Sequence, residues 1–421
     1  MINKIEFTTK NLTSYAGLLP ILNYIHDEGI FQWIDENLQF DKASTNEIKM
    51  NHIKSLLSLN IINPDKLSRI ELLRGEPLLF TGFGITVRKA ENVSRFLKNF
   101  DFRTTQAMRD INFKVFKKLL RKSKLREITV DIDSTVINVE GNQEGAKKGY
   151  NPGHKGNKCY NDIVATCWEL KAFITGYQRP GNTYTANGAE ELIREIVAQI
   201  KPEVDQIIFR MDSGYFSEDI IKVIEELGCQ YVIKAKNYSG MTEKLYNRPA
   251  AIWEKFRDKE ITAGCIKPDK WDNCRKFVVV RELKSFEERS QLSLLESDSY
   301  TNVIYATNIC WEPQETVWFY EKRGNCENYI KEMKNDMGLG NQLVNSFWAN
   351  EAILQFQILA FNLILLFKID RLQNEYFEQV KTFRFKYVFV AAKIVRSSRQ
   401  QIMKMPENYP YKEVYLIKRG A

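Results

Sequence analysis

The stretch from residue 126 to about 236 most constrains the fold, because strand-like and helix-like patterns alternate along it. In Glu127–Thr135, Ile128, Val130 and Ile132 alternate with polar residues, which is the period of a half-buried strand. The full pattern predicts strands near 127–138, 161–168, 171–178, 206–211 and 230–235, and helices near 187–200 and 217–227. A three-stranded meander followed by alternating helices and strands predicts an α/β fold with a mixed sheet and helices on its faces.

Acidic residues lie in two of these strand-like segments. Asp131 and Asp133 share one face of the first strand, and we expect Asp133 to lie where the following Ser-Thr pair begins to end it. Asp212 follows the apolar run Ile207–Phe209 and precedes a Ser-Gly turn. Carboxylates beside such turns at strand ends are where α/β folds bind ligands. Taken singly, each Asp is more typical of a helix cap or a turn than of a metal ligand.

Near the C-terminal end, four chemically distinct side chains are spaced for one helix face: Tyr320, Arg323, Glu327 and Lys334. At about 100° per residue they fall at about 0°, −60°, −20° and −40°. A carboxylate flanked by phosphate-binding cations is what metal-dependent phosphoryl transfer requires. The alternative interpretation is a solvated charged stripe, which is common on helix surfaces. The two upstream acidic strand ends favour the catalytic interpretation.

Composition limits the metal and the partner that the chain can bind. Its 421 residues are enough for two or three domains, and the net charge of +8 favours a polyanionic partner only mildly. Three histidines and seven cysteines, without a Cys-x-x-Cys pair, argue against a zinc cluster and favour a reduced, intracellular protein. We therefore expect any metal to be Mg²⁺ or Mn²⁺, held by carboxylate oxygens.

The first 125 residues are predicted to be helical and to end in a basic amphipathic helix, Lys114–Arg126. Such a helix beside a catalytic domain suits the DNA backbone, and its candidate phosphate contacts are Lys117, Lys118 and Arg121. A solvated helix face is an equally good interpretation of this segment.

Two further segments follow the alternating region. Residues 237–312 contain short strand-like pieces, so we expect a β-rich insertion before the helix that carries Glu327. Ile353–Phe367 is the most apolar stretch, but it is short and contains three amide side chains. It therefore predicts a buried helix within a helical C-terminal region, and no membrane partner is expected.

At these spacings the chain resembles the DDE transposases of bacterial insertion sequences, in the branch marked by Tyr-x2-Arg-x3-Glu-x6-Lys. All four signature positions are present from Tyr320 to Lys334. The segments Asp133-Ser134-Thr135 and Asp212-Ser213-Gly214-Tyr215 look like the contexts of the first and second catalytic aspartates of that family. The resemblance is strong from about 126 to 340, and only general in the N-terminal region.

The resemblance implies an RNase H-like catalytic domain whose sheet is followed by a β-rich insertion just before the glutamate helix. It divides the chain into a helical DNA-binding region, a catalytic domain in two pieces, an insertion and a C-terminal helical region: 1–125, 126–236 with 313–340, 237–312, and 341–421. The implied protein is cytoplasmic, associated with the bacterial nucleoid, and dimeric on DNA.

The implied activity is phosphoryl transfer on double-stranded DNA, with cleavage at the terminal inverted repeats and joining to target DNA. Asp133, Asp212 and Glu327 would hold two divalent cations, Mg²⁺ or Mn²⁺, ~4 Å apart. One cation would activate water or a DNA 3′-hydroxyl, and the other would stabilise the leaving oxygen. Phosphates would be bound by the remaining signature residues: Tyr320, Arg323 and Lys334.

Several alternatives remain open from the sequence. Asp131 competes with Asp133 for the first ligand position, although the Asp-Ser-Thr context favours Asp133. An RNase H-like nuclease, a DNA-binding protein without catalysis and a two-carboxylate glycosidase are rival functions, of which the last leaves the basic segments unexplained. Some relatives hold a flipped base on an insertion-domain tryptophan, and the candidates here are Trp253, Trp271 and Trp311.

Overall fold

A computed structural model describes residues 11–41, 45–62, 65–236, 244, 253–284, 300–341, 343–372, 378–398 and 400–416. The strands are β1 (Leu12–Thr13), β2 (Glu127–Val139), β3 (Lys147–Lys148), β4 (Lys158–Cys167), β5 (Ala172–Tyr177), β6 (Gln206–Met211), β7 (Gln230–Lys234), β8 (Glu254–Phe256), β9 (Lys259–Ile266), β10 (Arg275–Leu283), β11 (Tyr300–Thr307), β12 (Ala392–Ser397) and β13 (Gln400–Lys404).

The α-helices are α1 (Leu18–Asp27), α2 (Ile30–Asn37), α3 (Asn46–Ile62), α4 (Glu71–Arg74), α5 (Pro77–Phe83), α6 (Ala90–Leu97), α7 (Phe102–Ser123), α8 (Ala189–Ile200), α9 (Glu218–Glu226), α10 (Pro313–Glu321), α11 (Gly324–Asp336), α12 (Phe347–Arg371), α13 (Val380–Phe383) and α14 (Glu413–Leu416). A π-helical turn follows α13 at Arg384–Val388. The described part of the first 125 residues contains strand β1 and helices α1 to α7, which are joined by turns and loops.

The large sheet confirms the predicted mixed topology. Its strand order begins β4, β2, β6, β7, with β3 and β5 both pairing with β4. The meander β2–β4–β5 is antiparallel, whereas β2, β6 and β7 are parallel neighbours. Helix α8 connects β5 to β6, and helix α9 connects β6 to β7. Each of the two helices buries one apolar face against the core.

The strands of the predicted insertion extend this same sheet. Strand β11 pairs antiparallel with β7, and β10, β9 and β8 follow outward in that order. The β-rich character of the segment is thus confirmed in its described part. Because the hydrogen bonds run on from β7 into β11, these strands and the alternating region share one sheet. The boundaries of the predicted domains stay a prediction.

Helix α12 forms the centre of the core. It packs against α3, α7 and β5, and 94% of its most apolar 18-residue window is buried. By length and composition alone it is the one described helix that could cross a membrane. Burial inside the fold agrees with the prediction of a core helix.

Polar side chains of α12 cover the edge of the meander. Strand β5 pairs only with β4 in the described sheet, so its other edge has backbone groups to satisfy. Asn362 accepts from the Phe173 amide (3.2 Å) and donates to the Phe173 carbonyl (2.6 Å). Gln355 donates to the Gly176 carbonyl (2.8 Å). These amides, which interrupt the apolar stretch in the sequence, therefore replace a neighbouring strand.

The C-terminal region was predicted to be helical, and its two strands β12 and β13 contradict that prediction. Strands β12 and β13 pair antiparallel, and β1 adds to β12 to complete a three-stranded sheet. Ala392 and Ile394 are buried on one face while Lys393 is exposed, which is the alternation of a strand. Strand β1 is nearly the whole chain away in sequence, so this pairing joins the two ends of the described chain.

Candidate active site

Two acidic side chains lie side by side where the parallel pairing of β2 and β6 ends. The register of β2 and β6 pairs Asp131 with Arg210 and Ile132 with Met211. Continued by one residue, it places Asp133 beside Asp212, on strands about 4.8 Å apart. The charge of Asp212 accordingly helps to raise the pKa of Asp133. The structure therefore brings together the two aspartates that the sequence singled out.

Asp133 lies in the middle of its strand, so the expectation that β2 begins to end there is wrong. Strand β2 continues to Val139, because its pairing with β4 goes on after β6 has ended at Met211. Asp212 does follow the end of its strand. Its carboxylate accepts from the Gly214 amide (2.8 Å), which closes the predicted turn.

Asp131 has a different environment from Asp133. Both of its oxygens accept hydrogen bonds from Arg210, at 2.7 and 2.8 Å, and both side chains are 0% exposed. Arg210 also donates to the Phe319 carbonyl (2.6 Å). Asp131 is thus occupied by an internal ion pair, and this geometry favours Asp133 as the first ligand. The sequence contained a signal for this pair, because Arg210 precedes Asp212 by two residues, as Asp131 precedes Asp133.

The pKa of Asp133 is raised from 3.8 to about 6. Burial is the main cause and the nearby Asp212 charge adds to it, whereas Arg323 and the Ser134 amide lower the pKa. Such a carboxyl group needs a positive partner to stay ionised. A metal ion or a guanidinium can be that positive partner in a cluster of acids.

The four signature residues were expected to lie on one face of a single helix. The structure contradicts that expectation. Helix α10 ends at Glu321 and α11 begins at Gly324, so Tyr320 and Glu327 belong to different helices. The Arg323 amide donates to the Tyr320 carbonyl (2.8 Å), and the Cys326 amide donates to the Arg323 carbonyl (2.8 Å). These tighter three-residue bonds break the α-helical ladder, and the low helix propensity of Gly324 is compatible with the break.

The break places Arg323 among the acids. Its Nη2 lies 2.9 Å from Asp133 Oδ2, and its Nη1 lies 3.9 Å from Glu327 Oε1. The Arg323 side chain is 9% exposed, whereas that of Glu327 is 71% exposed. The guanidinium therefore connects the partly buried Asp133 to the exposed Glu327.

The other two signature residues border the same site. Lys334 donates to the Val136 carbonyl on β2 (3.2 Å), and burial lowers its pKa. Tyr320 packs against Tyr305 with ring centroids 4.8 Å apart, and burial together with the nearby Asp212 raises its pKa. Both side chains thus point toward the acids from the flanking helices.

The basic face of α7 has partners inside the protein. Lys117 donates to Gln199 (3.0 Å), Lys118 pairs with Glu28, and Arg121 donates to Glu203 (2.9 Å). The apolar stripe of the same helix is buried as predicted, at Val115, Phe116, Leu119 and Leu120. Phosphate binding by the three cations stays a prediction.

The three candidate tryptophans all contact other side chains. Arg281 lies 3.9 Å from the ring centroid of Trp253. Trp271 packs on Phe216 at 5.2 Å, and Trp311 packs on Phe319 at 5.0 Å. None is among the exposed large hydrophobic side chains of the described residues.

The donor set suits a hard divalent cation, although the three acids are not gathered in this structure. Within the described ranges, no group of three or more His, Cys, Asp or Glu side chains is close enough to hold a metal together. Asp133 and Asp212 nevertheless offer adjacent carboxylate oxygens, which Mg²⁺ and Mn²⁺ prefer. Glu327 is separated from them by the Arg323 guanidinium, whose positive charge balances the acids.

Comparisons with known proteins identify the family of the chain and a similar fold. A family model described as transposase DDE domain group 1 matches residues 3–418. The piggyBac transposase synaptic complex with hairpin DNA is similar, with a TM-score of 0.50 and 13% identity over 89% of this chain and 79% of that chain. At that identity the likeness concerns the fold alone.

The Mos1 transposase paired-end complex with left transposon end is 12% identical over 43% of this chain and 57% of that chain. Its TM-score of 0.20 is too low to bear on the fold. No curated protein matches the chain.

Proposed function

Since this chain belongs to the family of transposase DDE domains of group 1, we propose that it is the transposase of a bacterial insertion sequence. It binds the terminal inverted repeats, cleaves the DNA at the element ends and joins them to target DNA. The observation that carries this proposal is that Asp133 on β2 lies next to Asp212, the residue after β6, with Arg323 between Asp133 and Glu327.

The proposed catalytic fold is RNase H-like. The strand order β5, β4, β2, β6, β7, with the first three antiparallel and the last three parallel, supports it. In this proposal Asp133, Asp212 and Glu327 hold two divalent cations, Mg²⁺ or Mn²⁺. When bound, the cations supply Lewis-acid activation of the attacking hydroxyl and charge stabilisation of the leaving oxygen.

Arg323 exchanges partners in this proposal. In the structure its guanidinium lies 2.9 Å from Asp133 and 3.9 Å from Glu327 and balances their charge. A cation bound by the same carboxylates would repel it, because like charges at close range in a buried site interact strongly. The freed guanidinium then binds a phosphate bidentately, while Lys334 and Tyr320 contact neighbouring phosphate oxygens.

The proposed partner is double-stranded DNA, bound by a homodimer that pairs two element ends in the bacterial cytoplasm. The similar piggyBac structure is a synaptic complex with hairpin DNA, which supports a DNA partner. The cations of α7 are proposed to track the DNA backbone, exchanging their present contacts for phosphates.

The proposal is tested with DNA that carries the gene and its flanking sequence. Asp133→Ala, Asp212→Ala and Glu327→Ala should each abolish cleavage at the element ends and leave DNA binding nearly intact, because they remove metal ligands. Single-turnover cleavage and gel-shift titration measure the two properties. Full cleavage by Asp133→Ala would contradict the assignment of the first ligand. A cut without a joined product in a strand-transfer assay would make the protein a nuclease.

Metal binding gives a second readout that does not depend on catalysis. Calorimetric titration of the DNA-free protein with Mn²⁺ should show weaker binding for Glu327→Ala. Arg323→Ala and Lys334→Ala should not weaken it, because they remove positive charge from the site. Both should instead slow cleavage, by about a hundredfold if the scissile phosphate is misplaced by 1 Å or so. Arg323→Lys should rescue poorly, because an ammonium cannot form a bidentate fork. Wild-type Mn²⁺ affinity in Glu327→Ala would contradict the site.

A further inference from the structure

The antiparallel strands β12 and β13, here called the C-terminal ribbon, lie in a basic segment of the chain. From residue 379 to 406 the sequence contains seven Lys and Arg and no Asp or Glu. Two of these cations serve the fold, since Arg384 binds backbone carbonyls and Lys386 pairs with Glu378. The cations of the ribbon are exposed, and with the residues that the structure describes they form no ion pair: Lys393, Arg396 and Lys404. Such positive charge is available to a polyanion without loss of internal contacts.

Two of these cations repel each other across the ribbon. Lys393 and Lys404 are directly opposite in the register of β12 and β13. Like charges at directly opposite positions of an antiparallel pair destabilise the sheet. The basic face of α7 differs, because Lys118 and Arg121 pair there with carboxylates. A phosphate between the two ammonium groups of the ribbon would replace one repulsion by two attractions, so this pair indicates an anionic partner.

The outer half of the ribbon projects from the protein. Ala392 and Ile394, near its base, are 6% and 7% exposed, and strand β1 pairs only with Ala392 and Lys393. Every described residue from 396 to 401 is exposed. Because side chains alternate between the two faces along a strand, exposure of consecutive residues places both faces in water. In the described sheet the outer half is therefore a two-stranded ribbon with no third strand beside it.

The outer half carries side chains that can read the edges of bases. Arg396 is directly opposite Gln401, and Ser397 is directly opposite Gln400. A guanidinium can bind guanine bidentately, an amide side chain can bind adenine in the same way, and a hydroxyl group can bind either base. Directly opposite side chains lie on one face, so Arg396 and Gln401 are placed to bind neighbouring bases together.

The size of the outer half suits the major groove of B-form DNA. That groove is about 12 Å wide and about 8.5 Å deep, and it admits a two-stranded β-ribbon. Adjacent strands lie about 4.8 Å apart, and three residues of a strand extend about 10 Å. Residues 395–397 therefore span the depth of the groove, while Lys393 and Lys404 stay at its edge, where the phosphates lie.

We infer that the C-terminal ribbon reads duplex DNA: Arg396 and Gln401 bind base edges in the major groove of the terminal inverted repeat, and Lys393 and Lys404 bind its phosphates. Contacts with bases give a protein its sequence preference, whereas contacts with phosphates position it. The terminal repeat is the duplex that the proposed function has to distinguish from other DNA. This inference therefore rests on the proposed function and names the residues that make the distinction.

Binding of two duplexes tests the reading of bases. One carries the element end, taken from the DNA that flanks the gene, and the other has the same base composition in scrambled order. Affinities are measured by fluorescence anisotropy in EDTA, so that no cleavage occurs. Arg396→Ala and Gln401→Ala should each weaken binding to the element end by between about 5-fold and about 150-fold, the value of one bidentate base contact. Gln401→Ala should change binding to the scrambled duplex by less than about twofold, because phosphate contacts carry that binding.

Conservative and matched variants separate base reading from charge. Arg396→Lys keeps the charge and loses the bidentate fork, so it should bind the scrambled duplex like wild type and lose the preference for the element end. Lys393→Gln with Lys404→Gln should weaken both duplexes alike and flatten the slope of log affinity against log salt by up to about 0.9 for each lost phosphate contact. Lys381→Gln changes an exposed cation of the same basic segment outside the ribbon and should bind both duplexes like wild type.

Double-stranded RNA of the element-end sequence separates groove reading from binding to any nucleic acid. Its major groove is deep and narrow, and side chains cannot read it. Arg396→Lys and Gln401→Ala should therefore bind this RNA like the wild-type protein. Equal weakening for RNA and DNA would overturn insertion of the ribbon into the major groove.

Wild-type preference for the element end in both Arg396→Ala and Gln401→Ala would overturn the ribbon as a reader of bases. An unchanged salt slope in the double Lys variant would overturn its phosphate contacts. Failure of the ribbon and of the proposed function are distinguishable. A protein that cleaves element ends while its ribbon variants keep the wild-type preference refutes the ribbon alone. Loss of the preference in Arg396→Ala, in a protein that cleaves no DNA, refutes the proposed transposase alone.

Discussion

Asp131 and Asp133 point to the same face of β2, two residues apart, yet they differ in charge balance. Asp131 has Arg210 as its own buried partner. Asp133 faces a second carboxylate and shares one guanidinium with Glu327. Burial raises the pKa of both carboxyl groups, so the difference between them lies in their partners: Asp131 has a guanidinium of its own, and Asp133 does not. We therefore expect Asp133 to reduce the stability of the protein and the Asp131–Arg210 pair to support it.

We expect the stability of the protein to depend on pH through the protonation of Asp133. The pKa of Asp133 is about 6 in the folded protein against an ordinary 3.8, so between these values the folded state holds a proton that the unfolded state has lost. The free energy of unfolding therefore falls as pH rises from about 4 to about 6, by ~3 kcal/mol for a two-unit difference. Asp133→Asn should remove this fall and exceed wild type in stability at pH 7, in urea unfolding with a chelator present.

Asp131→Asn is the matched control for that experiment. It leaves the Arg210 guanidinium buried without its carboxylate, which typically costs 3–5 kcal/mol, so about that loss of stability is expected. Burial also raises the pKa of other carboxyl groups, among them Asp131 itself and Glu351, so each variant is compared with wild type over the same pH range. An Asp133→Asn protein less stable than wild type at pH 7 would mean that Arg323 more than offsets the burial of Asp133.

At the scale of elements, α12 and β5 depend on each other through side-chain amides. Asn362→Leu would leave the Phe173 amide and carbonyl buried without a partner. The expected loss is about 1–3 kcal/mol for each of these two groups. Gln357→Leu loses one contact, with the Gly338 carbonyl at 3.1 Å, and should lose about half as much. Thermal unfolding compares them, and equal losses would argue against the edge-covering role of Asn362.

We expect the basic face of helix α7 to bind the DNA backbone. If Lys117, Lys118 and Arg121 exchange their present partners for DNA phosphates, changing all three to Gln should weaken binding to every duplex sequence alike. The slope of log affinity against log salt should flatten by up to about 0.9 for each lost phosphate contact. Salt titration by fluorescence anisotropy measures the slope. An unchanged slope would assign the three cations to their contacts with Gln199, Glu28 and Glu203 alone.

At the scale of the whole molecule, Arg384 joins three distant parts of the chain. It donates to the carbonyls of Ile61 (2.6 Å) and Asn60 (2.8 Å) at the end of α3, and to that of Asp336 (2.5 Å) at the end of α11. Burial lowers its pKa to about 10, so it is still charged at neutral pH. A cation at the carbonyl ends of two helices is favourably placed with respect to both helix dipoles.

Replacing Arg384 should therefore loosen the N-terminal and C-terminal regions together. Arg384→Met should lower the free energy of unfolding by at least about 3 kcal/mol, because several charge-assisted hydrogen bonds are lost at once. Arg384→Lys should rescue only partly, since one ammonium cannot reach carbonyls on both helices in the planar geometry of a guanidinium. Thermal unfolding and limited proteolysis between α12 and β12 measure the effect. Wild-type stability in Arg384→Met would contradict it.

The elements themselves could be predicted from the sequence, because periodicity and turn residues act locally. The alternation around Asp133, the apolar run before Asp212 and the stripe of α7 each report which face is buried. The continuous apolar stretch of α12 reports a helix that is buried on all sides. The mixed sheet followed from the order of these patterns, and the resemblance to DDE transposases followed from spacing near Glu327.

Tertiary structure decided which neighbours those residues meet. The register of β2 and β6 paired Asp131 with Arg210 and left Asp133 beside Asp212. The break before α11 turned Arg323 onto the acids, although spacing alone predicts one continuous helix. The β12–β13 hairpin needed β1, from the other end of the chain, to cover its edge. Such contacts depend on groups distant in sequence, whose desolvation and pairing no local pattern encodes.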